Sequence, residues 1–213
     1  MLSPQTVREL LKPFDVQLSG TDLDKIQRYL DLLLRWNQKI NLTSIRTPEE
    51  CLIRHFGESF LLARLFPLDG RLLDIGSGAG FPGLALKLIS PNLEVVLLEP
   101  VAKKRAFLKE AARICGLDPV RVVGERLEDF CRHGDSRSFD IITARAVGGL
   151  EKLVPLAAGL LRPAGRLCLW VGRQQVKKIV QENSGFQWME PFAIPGSNER
   201  VILVGRLAVG ETP

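Results

Sequence analysis

A glycine-rich run at residues 72–83, LLDIGSGAGFPG, holds the residues of this sequence that point most directly to chemistry. It joins a short apolar stretch to a helix-like one, and its glycines would let the backbone bend sharply and come close to a ligand. The part from Gly78 to Gly83 fits the GxGxxG pattern of dinucleotide-binding folds, so a dinucleotide is one alternative.

Asp74 favours a different ligand, because a carboxylate just before the turn repels a pyrophosphate and attracts a cation. S-adenosylmethionine carries an ammonium and a sulfonium and no phosphate. The charge pattern therefore favours this cofactor, with Asp74, Gly76 and Gly78 as candidate contacts.

Two acidic positions further along the chain fit the same ligand. Glu99 ends the next β-like run, where the ribose of a nucleotide lies in such folds, and its carboxylate can accept from both ribose hydroxyls. Leu127 and Glu128 follow the third run and offer an apolar wall and an acceptor for an adenine ring. The order of Asp74, Glu99 and Glu128 is more specific than any one of them.

Short β-rich runs alternate with amphipathic segments from residue 71 onward, which predicts a mostly parallel sheet with helices on both faces. We expect strands near 71–75, 94–98, 119–123, 139–144, 165–171, 186–194 and 200–207. We expect helices near 83–90, 101–115, 150–161 and 173–183, and a short helix or a loop near 126–131. The last two strands are joined by residues 195–198, a hairpin-type link that makes the last strand antiparallel. The prediction is a Rossmann-like α/β fold with a seven-stranded sheet.

The first 67 residues have a helical rhythm and predict an N-terminal helical extension before a catalytic domain at 68–213. Ser3 and Pro4 should begin one helix, and Thr47 and Pro48 another that runs towards residue 65. A capping-box-like pair, Thr21 and Asp24, should open the long helix that ends near residue 40.

Composition sets further limits. The net charge of +5 arises entirely after residue 70, since residues 1–70 carry nine basic and nine acidic side chains, a surplus that suits a polyanionic partner. The sequence shows neither a long apolar run nor a secretory signal, so we expect a cytoplasmic protein without a membrane span. The four cysteines are scattered and the histidines number two, so we expect idle thiols and no metal site.

Four segments resemble one known family, the bacterial 16S ribosomal RNA guanine-N7 methyltransferases (RsmG or GidB). They are the glycine-rich run from Asp74 to Gly83, RWNQKINLTSI at 35–45, RHFGES at 54–59 and FDIITARAV at 139–147. The resemblance covers about residues 20–205. It implies a class I S-adenosylmethionine-dependent methyltransferase that acts on 16S ribosomal RNA or the small-subunit particle. We further expect a monomer.

The resemblance also implies cofactor contacts at matched positions, namely Gly76, Phe81, Leu127, Glu128 and Arg145. Two positions depart from the family's pattern, which often has alanine at Leu127 and aspartate at Glu99. A backbone contact would tolerate the first change, and glutamate serves a ribose as well as aspartate does.

Guanine N7 as the methyl acceptor is consistent with the catalytic motifs that the sequence lacks. Neither an Asp/Asn-Pro-Pro-aromatic tetrad for an exocyclic amine nor a cysteine placed to attack a pyrimidine follows the fourth strand. Guanine N7 carries an exposed lone pair and no proton, so it needs alignment and electrostatics rather than a general base. Methyl transfer to a small molecule or a protein, and nucleotide binding without catalysis, remain the alternatives.

Arg145 is the candidate catalytic residue, because a guanidinium at this edge of the sheet could bond guanine O6 or a phosphate. Its alternative role is an ion pair with Asp140 or Glu128. Trp36 and Phe56 should belong to the core, and His55 is either a core histidine or a substrate contact. Asn41 and Arg54 lie in the family-like segments. Further basic residues are candidates for the RNA backbone: Lys103, Lys104, Arg105, Arg126, Arg173, Lys177 and Lys178.

Overall fold

The computed structural model describes residues 2–133 and 136–208. The helices are α1 (Pro4–Leu11), α2 (Gly20–Ile40), α3 (Pro48–Cys51), α4 (Glu58–Phe60), α5 (Gly83–Ile89), α6 (Ala102–Ile114), α7 (Leu127–Phe130), α8 (Leu150–Leu160) and α9 (Val176–Glu182). The strands are β1 (Arg71–Ile75), β2 (Glu94–Leu98), β3 (Val120–Val123), β4 (Phe139–Arg145), β5 (Leu161–Gly172), β6 (Phe186–Trp188), β7 (Phe192–Ala193) and β8 (Arg200–Leu207).

The sheet has the order β3-β2-β1-β4-β5-β8-β6, and β7 also pairs with β8. Strands β1 to β5 are parallel, whereas β8 runs antiparallel to β5, β6 and β7. The predicted parallel sheet with an antiparallel final strand is confirmed. It places the ends of β1, β2, β3 and β4 at one edge, where the loops that follow them meet.

The single strand predicted at 186–194 is wrong, because the structure has two short strands there, β6 and β7. Pro191 lies between them and has no backbone N–H to donate to a ladder, which explains the interruption. The observed sheet therefore has eight strands where the sequence predicted seven.

The long helix α2 begins slightly earlier than predicted, and its cap is formed by other residues. Ser19 accepts a hydrogen bond from the Asp22 backbone N–H at 3.1 Å, and Asp22 accepts one from the Ser19 backbone N–H at 2.9 Å. The capping box is thus Ser19 with Asp22, and Thr21 lies inside the first turn. The helix predicted from Thr47 is a run of α3, a π-helical turn (Leu52–Gly57), α4 and a 3₁₀ turn (Leu61–Arg64).

Alternate residues of the strands face two apolar layers, as a sheet covered on both sides requires. On one face, β1 and β2 side chains such as Leu72 and Leu97 share a core cluster with α1, α2, α5 and α6. On the other face, neighbours such as Leu73 and Leu98 share a cluster with α8 and α9. The N-terminal helices therefore pack on the same face of the sheet as α5 and α6.

The four cysteines lie within the described ranges and are free, three of them buried, as the sequence predicted. Within those ranges, no cluster of three or more His, Cys, Asp or Glu side chains could hold a metal ion. No described helix is both long and apolar enough to span a bilayer.

Candidate functional site

The glycine-rich loop leaves the end of β1 and turns tightly before α5. The backbone N–H groups of Gly76 and Ser77 both donate to the Leu98 carbonyl, at 2.9 and 3.2 Å, which fastens the loop to the end of β2. Gly76 has a φ of +68°, in the left-handed region, and a Cβ there would lie 3.0 Å from a methyl group of Val147. A side chain at this position would therefore be strained and would fill the space between the loop and the segment after β4.

Asp74 lies beneath the loop and is fully buried. Its carboxylate accepts a hydrogen bond from the Thr143 hydroxyl at 2.7 Å and from the Gly83 backbone N–H at 3.2 Å. Burial raises the pKa of Asp74 to about 6, against the opposing effect of these hydrogen bonds. Asp74 thus joins β1 to β4 and to the start of α5. A direct contact of Asp74 with the cofactor stays a prediction.

Glu99 holds the loop from its other side. The side chain is 3% exposed, and its two oxygens accept from the backbone N–H groups of Gly78 and Val101, each at 2.9 Å. The carboxylate thus fixes the loop relative to the end of β2. A contact with a ribose through the remaining lone pairs stays a prediction.

Two cavities meet at Gly76. The first, of about 210 Å³, lies between the ends of β1 and β2 and helices α7 and α8. Its walls are mostly apolar, and Glu128 lies at its edge. Its lining includes Ile75, Leu98, Leu127, Val147, Leu153 and Leu156. This shape and polarity suit a flat aromatic ring.

The second cavity, of about 350 Å³, lies on the other side of Gly76 and is polar and positively charged. The segment at 42–45 forms one wall, the loop from Gly76 to Phe81 forms another, and Ala146 lies at its edge. Four side chains that can carry positive charge line it: Arg54, His55, Lys104 and Arg145. The N-terminal helical segment therefore supplies part of the cavity lining.

Arg145 is held by a partner other than those considered from the sequence. Its guanidinium donates to the Glu58 carboxylate at 3.0 Å and to the Arg54 carbonyl at 2.6 Å. Arg145 thus forms an ion pair, the alternative role considered from the sequence, but with Glu58 rather than with Asp140 or Glu128. Asp140 pairs with Arg162 at 2.9 Å. The reason is the sheet register, because Asp140 lies near the start of β4 and Arg145 at its end.

The buried Glu58 carboxylate is the centre of an arginine cluster that the sequence did not reveal. Its side chain is 2% exposed and contacts Arg145 at 3.0 Å, Arg200 at 2.7 Å and the Nε of Arg54 at 3.7 Å. Three guanidinium groups thus share the Glu58 carboxylate. Arg54 also pairs with Glu50 at 3.5 Å, so three positive and two negative charges leave a formal surplus of one beside the second cavity. Glu58 lies in the family-like segment at 54–59, which pointed to this region of the chain, whereas nothing in the sequence singled out Arg200.

His55 both packs against the loop and lines the second cavity. Its ring stacks on Phe81 with centroids 4.7 Å apart, and its Nε2 lies 2.9 Å from the Thr43 hydroxyl oxygen. Burial, reinforced by the charges of Arg145 and Arg54, lowers the pKa of His55 to about 3. The ring is therefore neutral at physiological pH.

The other predicted residues fall into three groups. Phe56 is fully buried as predicted, and Trp36 is half-buried with its ring 5.8 Å from Phe107. Asn41 ends α2 with a positive φ. Among the basic candidates for the RNA backbone, Lys104 and Arg126 line the cavities. The others bond to neighbouring residues or lie at the surface: Lys103, Arg105, Arg173, Lys177 and Lys178.

Comparison with known proteins identifies the family. The model of the rRNA small subunit methyltransferase G family (GidB) matches residues 22–199. The chain belongs to this family. Ribosomal RNA small subunit methyltransferase G of Streptococcus gordonii is 39% identical over 95% of this chain and 90% of its own length. The protein of the same name from Desulfitobacterium hafniense is 40% identical over 78% of this chain and 70% of its own length.

Solved structures agree on the fold of this rRNA small subunit methyltransferase G family member. The ribosomal protein L11 methylase of Lactobacillus delbrueckii superimposes with a TM-score of 0.58 at 20% identity, covering 71% of this chain and 79% of that one. TYW2 of P. horikoshii, solved in complex with MeSAdo, gives a TM-score of 0.58 at 17% identity over 72% and 62% of the two chains. At these identities the likeness concerns the fold alone. The predicted class I methyltransferase fold is confirmed, and membership in the family makes the protein a methyltransferase.

Proposed function

We propose that this protein transfers a methyl group from S-adenosylmethionine to N7 of a guanine in small-subunit (16S) ribosomal RNA. The observation that carries the proposal is the pair of cavities that meet at Gly76, one apolar and one positively charged. The names of the relatives supply the class of RNA, and the chemistry of the second cavity favours the N7 atom.

The first cavity suits the adenosine part of the cofactor. Leu98, Leu127 and Leu153 give apolar surfaces for the ring, and Glu128 gives an acceptor at the edge for an amino group. Glu99 stands at the end of β2, where a ribose would lie, and Gly76 leaves the room that a Cβ would take. The residues present thus fit the cofactor.

The second cavity suits the methionine end and the target base. S-adenosylmethionine supplies an electrophilic methyl group, which bonds to the N7 lone pair while the electrons of the broken C–S bond stay on sulfur. Gly78 and Phe81 line this cavity beside Gly76. Arg145 and Lys104 give positive charge that would attract guanine O6 and the RNA phosphates.

The acid–base character of this cavity favours N7 over a target that must lose a proton. Among the described residues that line it, His55 is the one neutral side chain that could accept a proton, and its pKa is lowered to about 3. So weak a base cannot assist an amine or hydroxyl target effectively near neutral pH. Guanine N7 has no proton to lose, so alignment and a suitable electrostatic environment suffice.

The test is the nucleoside product. Small-subunit RNA and intact small subunits, both lacking the modification, are incubated with the enzyme and S-adenosylmethionine, digested, and assayed for 7-methylguanosine. The proposal expects this nucleoside in at least one of the two substrates. Cofactor binding without any 7-methylguanosine would refute the target, and calorimetry that detects NAD but neither S-adenosylmethionine nor S-adenosylhomocysteine would refute the cofactor.

Arg145→Ala tests the predicted catalytic residue. We expect kcat/KM to fall at least about 100-fold, a loss typical of removing one charged transition-state contact. Arg162→Ala is the matched control, since Arg162 is also an ion-paired arginine on the neighbouring strand but lies at the surface, away from both cavities. Activity of Arg145→Ala close to that of Arg162→Ala would remove Arg145 from the mechanism.

A further inference from the structure

Phe81, in the glycine-rich loop, is stacked against two other rings. The Tyr29 ring lies nearly parallel to it, with centroids 5.2 Å apart and 12° between the planes, and the His55 ring does the same at 4.7 Å and 14°. Both rings are therefore close to parallel with the ring of Phe81 and pack against it. Phe56 closes the edge of the stack, with its centroid 5.0 Å from that of Phe81.

Tyr29 also holds the backbone of the loop. Its hydroxyl donates to the Ala79 carbonyl at 2.6 Å, in a fully buried position 50 residues away in sequence. The fit is tight, because a Cβ on Gly80 would collide with this hydroxyl. Burial raises the pKa of Tyr29 well above its ordinary value, so the phenol keeps its proton and remains a donor.

His55 connects the same stack to the wall of the second cavity. Its Nε2 is within hydrogen-bond distance of the Thr43 hydroxyl, which in turn accepts from the Ile45 backbone N–H at 3.1 Å. Helix α2, the segment at 42–45 and the π-helical turn thereby converge on Phe81. No strand-to-strand hydrogen bond fixes Phe81, which lies beyond the end of β1.

We propose that Tyr29 and His55 are positioning residues that hold Phe81 and the Ala79 carbonyl in the loop conformation that binds S-adenosylmethionine. The inference rests on the proposed function, because it assigns these residues to the same cofactor site. A loop fixed in its binding conformation loses less conformational freedom when the cofactor arrives, so affinity is higher. The N-terminal helical segment thus determines cofactor affinity in addition to any contact that it makes with RNA.

Calorimetry with S-adenosylmethionine and S-adenosylhomocysteine tests the inference in the full-length protein. Tyr29→Phe keeps the stacked ring and removes the hydrogen bond, and we expect the Kd for both compounds to rise about 5- to 10-fold, as for loss of one buried hydrogen bond. His55→Ala opens one face of Phe81 and should raise both Kd values by a similar factor. His55→Phe restores a ring on that face and should recover most of the lost affinity.

A positioning role predicts a kinetic signature that a general loss of stability does not. Tyr29→Phe should raise KM for S-adenosylmethionine and leave both KM for RNA and kcat at saturating cofactor near the wild-type values. Phe14→Leu is the matched control, since Phe14 is a buried aromatic residue of the same helical segment that packs against Gly57 and lies outside the stack. It should lower the melting temperature without changing either Kd.

The results separate this inference from the proposed function. Wild-type Kd values in both Tyr29→Phe and His55→Ala, or an equal loss of affinity in Phe14→Leu, would overturn the positioning role. If the wild-type protein binds S-adenosylmethionine but forms no 7-methylguanosine, the proposed target fails while the Kd values of the variants still decide the positioning role. A wild-type protein that binds neither compound would overturn both.

Discussion

Replacing Glu58 by glutamine should destabilise the protein strongly, because one buried carboxylate compensates three guanidinium groups. The Glu58 side chain is 2% exposed, and its oxygens lie 2.7 Å from Arg200 and 3.0 Å from Arg145. Glutamine keeps the volume but removes the charge, and its NH₂ group would face a guanidinium. Glu58→Gln therefore leaves the charge of the buried Arg145 guanidinium without compensation.

The magnitude follows from the exposure of the partners. Removing one member of a buried ion pair costs about 3–5 kcal/mol. Arg145 is 13% exposed and should bear most of this cost, whereas Arg200 and Arg54 are 35% and 37% exposed and are partly screened by solvent. We therefore expect the lower end, about 3 kcal/mol in the free energy of unfolding. For a chain of this size that corresponds to a melting temperature lower by about 6–12 °C.

Urea unfolding followed by circular dichroism measures the change, with an unchanged m-value as evidence that the unfolding transition is the same. Glu110→Gln is the matched control, because Glu110 forms a bidentate ion pair with Arg113 at the surface and should leave the midpoint unchanged. Adding Arg145→Gln to Glu58→Gln should restore part of the lost stability, since the double variant has one less uncompensated charge. A loss below about 1 kcal/mol for Glu58→Gln would show that solvent or relaxation compensates the cluster and would refute the argument.

Three further predictions concern other parts of the molecule. The pKa of Asp74, about 6 in the folded protein, lies above its ordinary value of 3.8, so the stability that its protonation gives is present below pH 3.8 and lost as pH rises through 6. The unfolding free energy of wild type minus that of Asp74→Asn should thus fall by about 2 kcal/mol from pH 4 to pH 8, and a difference independent of pH would contradict the burial of an ionisable carboxyl. Lys87→Met should lower the free energy of unfolding in urea by about 1–3 kcal/mol, because the buried Lys87 ammonium donates to the Pro91 and Leu93 carbonyls at 2.7 and 2.6 Å. Lys109→Met, at an exposed position, is the control, and equal urea midpoints for the two variants would contradict this role of Lys87. In filter-binding assays, the logarithm of the RNA association constant should fall linearly with the logarithm of salt concentration. An affinity that salt leaves unchanged would exclude phosphate contacts by the basic surface.

The sequence by itself determined the fold class and the position of the glycine-rich turn. Strands and helices are specified largely by the hydrophobic period of neighbouring residues, so the alternation from residue 71 onward predicted the parallel sheet and its order of elements. The glycine-rich run predicted a tight turn, because glycine itself permits the backbone conformations that such a turn needs. Family-like segments pointed to Gly76, Phe81 and Arg145, which the structure brings to the two cavities.

The tertiary structure decided what the charged side chains around that site do. Asp74 lies near the end of β1 in the prediction as in the structure, but only the pairing of β1 with β4 brings the Thr143 hydroxyl against its carboxylate. The partners Glu58 and Arg200 are 142 residues apart, and Tyr29 and Ala79 are 50 apart. A local pattern carries no information about such pairs, because their distances depend on how the sheet is ordered and which helices cover it. The local sequence therefore determines where the chain turns after β1. Long-range packing determines which atoms hold that turn in place.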